Sequence, residues 1–215
     1  MKALVYLGPR RMELQDVPEP QVGPADALVR VSASAICGSD LHGFREASPR
    51  RIPPLVMGHE AAGVVTAVGA KADPSLIGAR VVAMPVVPCG ACARCREDRP
   101  NLCPERRLMG MHFPGAFAEA FVLPATQLLR IPDGIEDAAA SLAEPLANGI
   151  HTASRSVVAG NSVLVIGAGA IGLSAARAAV LAGASLVMVS DRLAGRLALA
   201  AALLARVTAR PIEKL

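Results

Sequence analysis

The chain has 215 residues, of which 53% are hydrophobic and 19% are charged, so it has enough apolar material for a folded core and is not expected to be disordered. Its net charge of +4 is slight and only 2% of its residues are aromatic, whereas nucleic-acid-binding proteins carry clustered basic residues and aromatic stacking platforms. We therefore expect no nucleic-acid partner. The arginine pairs at positions 10–11, 50–51 and 106–107 are isolated, and we expect them on the solvated surface.

The most apolar tract, residues 163–189, has a length that would suit a membrane span. Arg177 and repeated glycines interrupt it, which favours a buried strand, helix and strand instead. The apolar run from Met1 to Tyr6 is too short for a signal peptide. We therefore expect a soluble, cytoplasmic protein that does not bind membranes.

Short strand-like runs separated by glycine and proline fill the chain up to about Leu129. They are Ala3 to Tyr6, Ala27 to Ala35, Gly63 to Val68, Val81 to Met84 and Ala116 to Leu123. Many short strands with regular turn signals predict a compact, barrel-like β domain.

The pattern changes near Pro132, after which the chain is rich in alanine and favours helices. We predict helices over 137–143 and 146–156, then a strand over 161–166, a helix over 170–183, a strand over 185–190 and a helix over 193–205. A strand, helix and strand in this order require a parallel sheet. We expect the domain boundary near residues 149–156, and assign residues 1–150 and 151–215 to the two domains.

Four of the five cysteines lie in one short loop, residues 89–103. An odd number of cysteines and this clustering favour metal binding over disulfides. Four thiolates close a tetrahedral site around zinc and leave no position for water, so such a zinc would be structural. An iron–sulfur cluster uses similar spacings and is the main alternative. The ligands would be Cys89, Cys92, Cys95 and Cys103.

The fifth cysteine, Cys37, begins a second group of candidate metal ligands. His59 follows the next apolar run, and a third ligand is needed, for which Glu60 and Glu144 are the candidates. A cysteine, a histidine and a glutamate leave one zinc position open for water or substrate, as a catalytic site requires. The zinc would then act as a Lewis acid.

Three further polar residues follow Cys37 within the segment Ile36-Cys37-Gly38-Ser39-Asp40-Leu41-His42. Polar groups of this kind cost free energy to bury unpaired, so their crowding indicates chemistry more often than packing. We interpret Ser39 and His42 as residues that move a proton beside the metal.

The run from Gly167 to Gly172 fits the pattern G-x-G-x-x-G between a predicted strand and a predicted helix, which is the context of a dinucleotide-binding fingerprint. Gly167 permits the tight turn, Gly169 lets the pyrophosphate approach the backbone, and Gly172 lets helix and strand pack closely. Ile171 lies within the same turn and is a further candidate for cofactor contact.

Asp191 ends the next predicted strand, about twenty residues further on, where an acid binds the ribose 2′-hydroxyl of NAD. Arg192 follows it, and an arginine at this place can receive the 2′-phosphate of NADP. We predict NAD as the cofactor and keep NADP as the alternative.

In their order, CGSDLH, GHE, the four-cysteine loop, EPL and GAGAIG resemble the zinc-dependent medium-chain alcohol dehydrogenase family, in its branch of polyol, sugar-alcohol and threonine dehydrogenases. The resemblance implies a GroES-like β-barrel followed by an α/β Rossmann domain. It implies oxidation of an alcohol or polyol by NAD, two zinc ions per chain and a homo-oligomeric parent enzyme. By resemblance, the catalytic zinc is bound by Cys37, His59 and Glu144, with Glu60 beside it and with Ser39 and His42 as the proton relay.

The resemblance ends at about Leu199, whereas chains of this family are longer and their Rossmann sheet has six strands. We expect this chain to stop after one strand–helix–strand unit and a helix, and its stretch from Arg206 shows no resemblance. We therefore expect a C-terminally truncated chain with a partial Rossmann domain and weak or no activity. The alternative function is that of a non-catalytic, zinc-binding remnant of such an enzyme.

Overall fold

The structure is a computed structural model that describes residues 1–204 and 207–211. The chain divides into two compact units, Met1–Leu142 and Ala143–Leu215. The expected boundary after residue 150 falls inside the helix Ala143–Ser154. This helix belongs to the second unit, where Gly149 packs closely against Ser174. The assignment of residues 1–150 and 151–215 to two domains stays a prediction.

Residues 1–142, all of which the structure describes, contain ten strands. They are β1 (Lys2–Gly8), β2 (Arg11–Asp16), β3 (Asp26–Ala35), β4 (Leu55–Val56), β5 (Glu60–Val68), β6 (Arg80–Ala83), β7 (Val86–Val87), β8 (Arg107–Leu108), β9 (Ala120–Pro124) and β10 (Leu128–Arg130). The helices of the same residues are α1 (Gly38–Arg45), α2 (Ala93–Arg96) and α3 (Asp137–Ala140), with 3₁₀ turns at Pro74–Leu76, Pro100–Leu102 and Ala125–Gln127.

The main sheet of this unit is antiparallel, with the strand order β10-β6-β5-β3-β9. A smaller antiparallel sheet has the order β2-β1-β4, and β7 pairs with β8. Apolar side chains from the strands of the main sheet form the core, among them Val29, Val65, Val81, Phe121 and Leu123. The burial of these side chains is the main favourable contribution to folding of this unit.

The second unit contains α4 (Ala143–Ser154), β11 (Ser162–Ile166), α5 (Ala170–Leu181), β12 (Leu186–Asp191), α6 (Ala194–Leu203) and β13 (Val207–Pro211). Its sheet is parallel, with the order β11-β12-β13. Val187 and Val189 are buried together with Ala176 and Ala200 of the helices α5 and α6. Successive side chains of β11 lie on opposite faces of the sheet. Leu164 and Ile166 lie on the face away from this core and are 46% and 68% exposed.

The third parallel strand corrects the sequence analysis. We expected the chain to stop after one strand–helix–strand unit and a helix, and this is wrong, because β13 pairs with β12 and adds Val207 and Ala209 to the core. The predicted final helix reached Ala205, which lies outside the described residues, as do Arg206 and 212–215.

Two further elements differ from their predicted extent. The strand expected from Ala116 begins only at Ala120, because Ala116 donates its N–H to the carbonyl of Gly58 at 3.0 Å instead of pairing with β3. The helix expected over 137–143 ends at Ala140, and Ser141 folds its hydroxyl back onto the carbonyl of Ala138 at 2.8 Å.

No helix within the described part of the chain has both the length and the apolar character needed to cross a membrane.

Candidate metal centres and nucleotide-binding loop

Cys37 lies at the junction of β3 and α1 and caps the N-terminus of that helix. Its sulfur accepts the N–H of Ser39 at 3.5 Å, and its own N–H donates to the Asp40 carboxylate at 3.3 Å. This reciprocal pattern is a capping box, which satisfies two backbone groups at the end of the strand and the start of the helix. The Cys37 sulfur is thereby fixed in position at the N-terminus of α1.

His59 is buried just before β5, and close backbone packing holds it there. Gly58 has a φ of +92°, and a side chain at Gly115 would place its Cβ only 2.1 Å from the Gly58 carbonyl oxygen. Gly110 approaches the same oxygen, with a Cβ position 2.5 Å away. Three glycines are therefore needed for these backbones to meet beside His59.

Asp40 orients His59. The Asp40 Oδ1 lies 3.5 Å from Nδ1 of His59, and both side chains are at most 5% exposed. Burial lowers the pKa of His59, but the Asp40 and Cys37 side chains outweigh this effect and raise it to about 10. A carboxylate on one ring nitrogen is the usual partner of a metal-binding histidine, and it leaves Nε2 available as a ligand atom.

The structure brings Cys37, His59 and Glu60 together, with one ligand atom of each within 4.8 Å of the others. Sulfur, imidazole nitrogen and carboxylate oxygen are the three ligand types that zinc binds in proteins. The two anionic groups would neutralise a divalent ion formally, so the three residues fit one zinc ion.

Ser39, His42 and Glu144 were also predicted to act at this site. Ser39 is partly buried in the first turn of α1, whereas His42, in the next turn, is exposed with its Nε2 4.0 Å from a Glu46 oxygen. Glu144 lies in the second unit, in the first turn of α4, where Asn148 donates to its carboxylate at 2.8 Å.

Arg51 is a residue that the sequence analysis placed wrongly. We expected the pair at positions 50–51 on the surface, but Arg51 is 4% exposed and its Nη2 donates to Asp40 Oδ1 at 3.1 Å and to the Ser39 hydroxyl at 3.2 Å. Asp40, the first acceptor, is equally inaccessible, with 2% exposure. Local sequence does not predict these two contacts, because Arg50 is the same residue type in the next position and is exposed, as expected.

The four cysteines of the loop 89–103 also converge, with their sulfur atoms all within 4.8 Å of one another. The Cys92 and Cys95 sulfurs are 3.5 Å apart, and those of Cys89 and Cys95 are 4.0 Å apart. Four ligands at about 2.3 Å from one tetrahedral zinc lie about 3.8 Å apart. A cluster of several irons would spread its thiolates over several metal atoms. The spacing therefore fits one zinc ion better than an iron–sulfur cluster.

Electrostatic effects on these thiols agree with a cation site. The backbone N–H groups of Ala91 and Cys92 lower the pKa of the Cys89 thiol. Burial and the neighbouring Cys92 sulfur raise the pKa of Cys95. Four thiols this close together cannot all lose their protons without a cation, because the thiolate charges repel one another. A bound cation would remove this repulsion.

The glycine loop has the shape that the fingerprint predicts. Gly167 has a φ of +105°, and no atom lies within 4 Å of a Cβ built on Gly167 or Gly169, so the loop is open to a ligand. At Gly172, a Cβ would lie 1.8 Å from the Gly167 carbonyl oxygen, which requires glycine. Gly169 caps α5, whose free N–H groups can bind phosphate, and Ile171 is 43% exposed in the first turn.

Asp191 ends β12, as expected, and contacts this loop directly. Its carboxylate accepts the N–H of Ala168 at 2.8 Å and that of Leu193 at 2.9 Å, and these two bonds lower its pKa. The sequence analysis missed Arg196, whose Nη1 lies 3.4 Å from Asp191. Its position four residues after Arg192, in the first turn of α6, was the available signal. Arg192 itself is exposed.

Comparisons with known proteins agree with this geometry. The family model of the alcohol dehydrogenase GroES-like domain matches residues 23–133. L-threonine 3-dehydrogenase of Cronobacter sakazakii is 42% identical over 179 residues, which is 81% of this chain and 52% of that protein. The chain thus spans about half the length of the curated relatives that it matches.

Two solved structures have a similar fold over the whole length of this chain. A zinc-binding dehydrogenase from Sinorhizobium meliloti, bound to NADP, has a TM-score of 0.91 and 34% identity, covering 100% of this chain and 62% of that one. A protein described as a short chain alcohol dehydrogenase from Escherichia coli, in complex with NADH, has a TM-score of 0.92 and 32% identity, covering 100% of this chain and 63% of that one. The predicted fold, a GroES-like β domain followed by a partial Rossmann domain, is confirmed. The chain belongs to the zinc-dependent medium-chain alcohol dehydrogenase family.

Proposed function

We propose that this chain carries the metal-binding and nucleotide-binding parts of a dehydrogenase that oxidises an alcohol or polyol with NAD. The observation that carries this proposal is the convergence of Cys37, His59 and Glu60 beside α1. When bound there, zinc supplies Lewis acidity, which polarises an alcohol hydroxyl. The L-threonine 3-dehydrogenases among the relatives make a secondary alcohol the first substrate to test.

Residues of the chain itself would prepare this site. The Asp40 carboxylate lies within ion-pair distance of Nδ1 of His59, without a hydrogen bond to it among the described residues, and its charge would favour this orientation of the ring. Glu60 contributes the carboxylate beside Cys37 and His59. The ligand role that the resemblance gives to Glu144 stays a prediction, as do the relay roles of Ser39 and His42.

We propose a second zinc in the loop of Cys89, Cys92, Cys95 and Cys103, with a structural role. The close spacing of the four sulfurs supports it. Because all four positions of the metal would be filled by thiolates, no substrate could bind there.

For the nucleotide we propose NAD in preference to NADP. The open space at Gly167 and Gly169 would receive the pyrophosphate, and the Asp191 carboxylate would repel a 2′-phosphate. Arg196 partly neutralises Asp191, and relatives with NADP and with NADH are both known, so the preference is a proposal. The homo-oligomeric assembly and the cytoplasmic location also remain predictions.

Metal content and NAD reduction test this function together. We expect two zinc ions per chain, one of which is lost in Cys37→Ser. We expect NADH formation from L-threonine to be weak, because the chain spans about half the length of its relatives, and Cys37→Ser should abolish it. One zinc per chain that Cys37→Ser leaves unchanged would instead support a non-catalytic remnant. Cys95→Ser is the matched control, because it should remove the other zinc.

A further inference from the structure

Arg51 is a buried charge beside the candidate catalytic metal centre. A single guanidinium nitrogen, Nη2, donates to Asp40 Oδ1 at 3.1 Å and to Ser39 Oγ at 3.2 Å. Nε of the same side chain is buried without a hydrogen-bond partner among the described residues. The fold also makes room for this side chain, because a Cβ at Gly43 would lie 2.7 Å from Arg51 Cδ.

Stability alone does not account for this arrangement. The Arg51 and Asp40 side chains are 4% and 2% exposed, and two charges taken this far out of water lose most of their attraction to desolvation. Apolar residues of similar size would serve as well or better. A buried ion pair that leaves Nε unsatisfied therefore indicates a role in geometry.

The contact fixes the direction of the Ser39 hydroxyl. A guanidinium group has donors only, so Ser39 Oγ must accept from Arg51 and its own hydrogen must point elsewhere. One lone pair and one hydrogen remain, which lets the hydroxyl accept one proton and donate another. A proton relay needs a hydroxyl that can both accept and donate a proton.

Nη2 of Arg51 also contacts Asp40, the residue beside His59. Asp40 Oδ1 lies 3.1 Å from Nη2 of Arg51 and 3.5 Å from Nδ1 of His59. The other Asp40 oxygen accepts the N–H of Cys37 at 3.3 Å. Arg51 therefore joins the hydroxyl of Ser39 to the carboxylate that contacts both a cysteine and a histidine ligand.

We infer that Arg51 is a positioning residue for proton transfer. Clamped by Asp40, it holds the Ser39 hydroxyl with one lone pair free and its hydrogen directed away from the guanidinium. It also keeps Asp40 from turning away from His59. The inference rests on the proposed function and on the predicted role of Ser39 as the relay.

A double-mutant cycle on unfolding tests the contact without any need for activity. It uses Ser39→Ala, Arg51→Lys and the double variant, measured by urea unfolding of the zinc-loaded chain. We expect the two changes to be non-additive. Additive changes would overturn the inference. Arg51→Lys keeps the buried charge, so it is suited to folding, and Arg50→Lys is the matched control at an exposed neighbour, for which we expect additivity.

Turnover separates positioning from a structural role. With L-threonine and NAD, we expect Arg51→Met to lower kcat roughly 100-fold, the scale of proton-transfer catalysis, while Arg51→Lys recovers to within about tenfold of the parent. Co²⁺ affinity of the site should fall by about tenfold or less, because no metal ligand is altered and Arg51 reaches His59 only through Asp40.

An unchanged kcat in Arg51→Met, or a loss of Co²⁺ affinity as large as the loss of kcat, would show that Arg51 has no positioning role. Absence of turnover in the parent chain would count against the proposed function only. In that case the unfolding cycle still decides the inference.

Discussion

The carboxylate of Asp191 accepts the backbone N–H of Ala168 at 2.8 Å, so the end of β12 holds the glycine loop that follows β11. A second bond, from the N–H of Leu193, fixes the same carboxylate at the start of α6. The residue that sequence analysis assigns to the ribose therefore also shapes the loop assigned to the pyrophosphate.

We expect Asp191→Asn to destabilise the second unit and to weaken NAD binding. The pKa of Asp191 is lowered in the fold from its ordinary value of 3.8, so its stabilising effect is present above that value and is lost as the pH falls below it. Urea unfolding between about pH 4 and pH 2 should show a steeper loss in the parent than in Asp191→Asn. Asp133→Asn, at an exposed turn, should follow the parent.

Removal of metal from the four-cysteine loop should unfold it. Cys103 is fully buried, so we expect Cys103→Ser to remove one zinc per chain and to lower the thermal unfolding temperature, and we expect a chelator to have the same effect on the parent. Cys37→Ser should leave this zinc in place. Retention of all metal in Cys103→Ser would contradict a four-thiolate site.

The carboxylate of Glu60 should matter for metal affinity at the other centre. We expect Glu60→Gln to weaken Co²⁺ binding about 10- to 100-fold in competition with a chelator, because a charge beside Cys37 and His59 is lost. Glu144→Gln, measured in parallel, tests the ligand that the resemblance implies. Unchanged affinity in Glu60→Gln would exclude a direct role for this residue.

A methyl group at Gly115 should disturb the backbone that carries His59. Its Cβ would lie 2.1 Å from the Gly58 carbonyl oxygen, so we expect Gly115→Ala to cost about 1–3 kcal/mol in unfolding free energy and to reduce Co²⁺ binding near Cys37. Gly195→Ala is the control, because open space surrounds that position in α6. Equal stability of the two variants would argue against the tight contact.

Local patterns in the sequence predicted the parts of the fold and site that depend on neighbours along the chain. The four-cysteine spacing and the turn from Gly167 to Gly172 each act within one short loop, so their geometry follows from the loop itself. The strand β13 escaped prediction, because its short run is not strongly apolar and pairs only where β12 offers an edge.

Tertiary contacts explain what the sequence could not predict at the metal centre. Arg50 and Arg51 are identical neighbours, yet one is exposed and the other is buried against Asp40. Nothing in the local sequence distinguishes them. The burial of Arg51 depends on its contact with α1 and on the space that Gly43 leaves for its side chain. The contact of His59 with Asp40 likewise appears only when the segment before β5 packs on α1.

The capping role of Cys37 has a consequence for oxidation. Its sulfur is one of the candidate metal-ligand atoms and also accepts the N–H of Ser39 in the first turn of α1. The thiolate, the form in which a cysteine binds a metal, is also the form that oxidants attack. Conversion to the sulfinic or sulfonic acid is not reversed by thiols, and would strip a ligand from the metal and the cap from α1 in one event. Oxidative damage at this sulfur would therefore disable ligand and helix together.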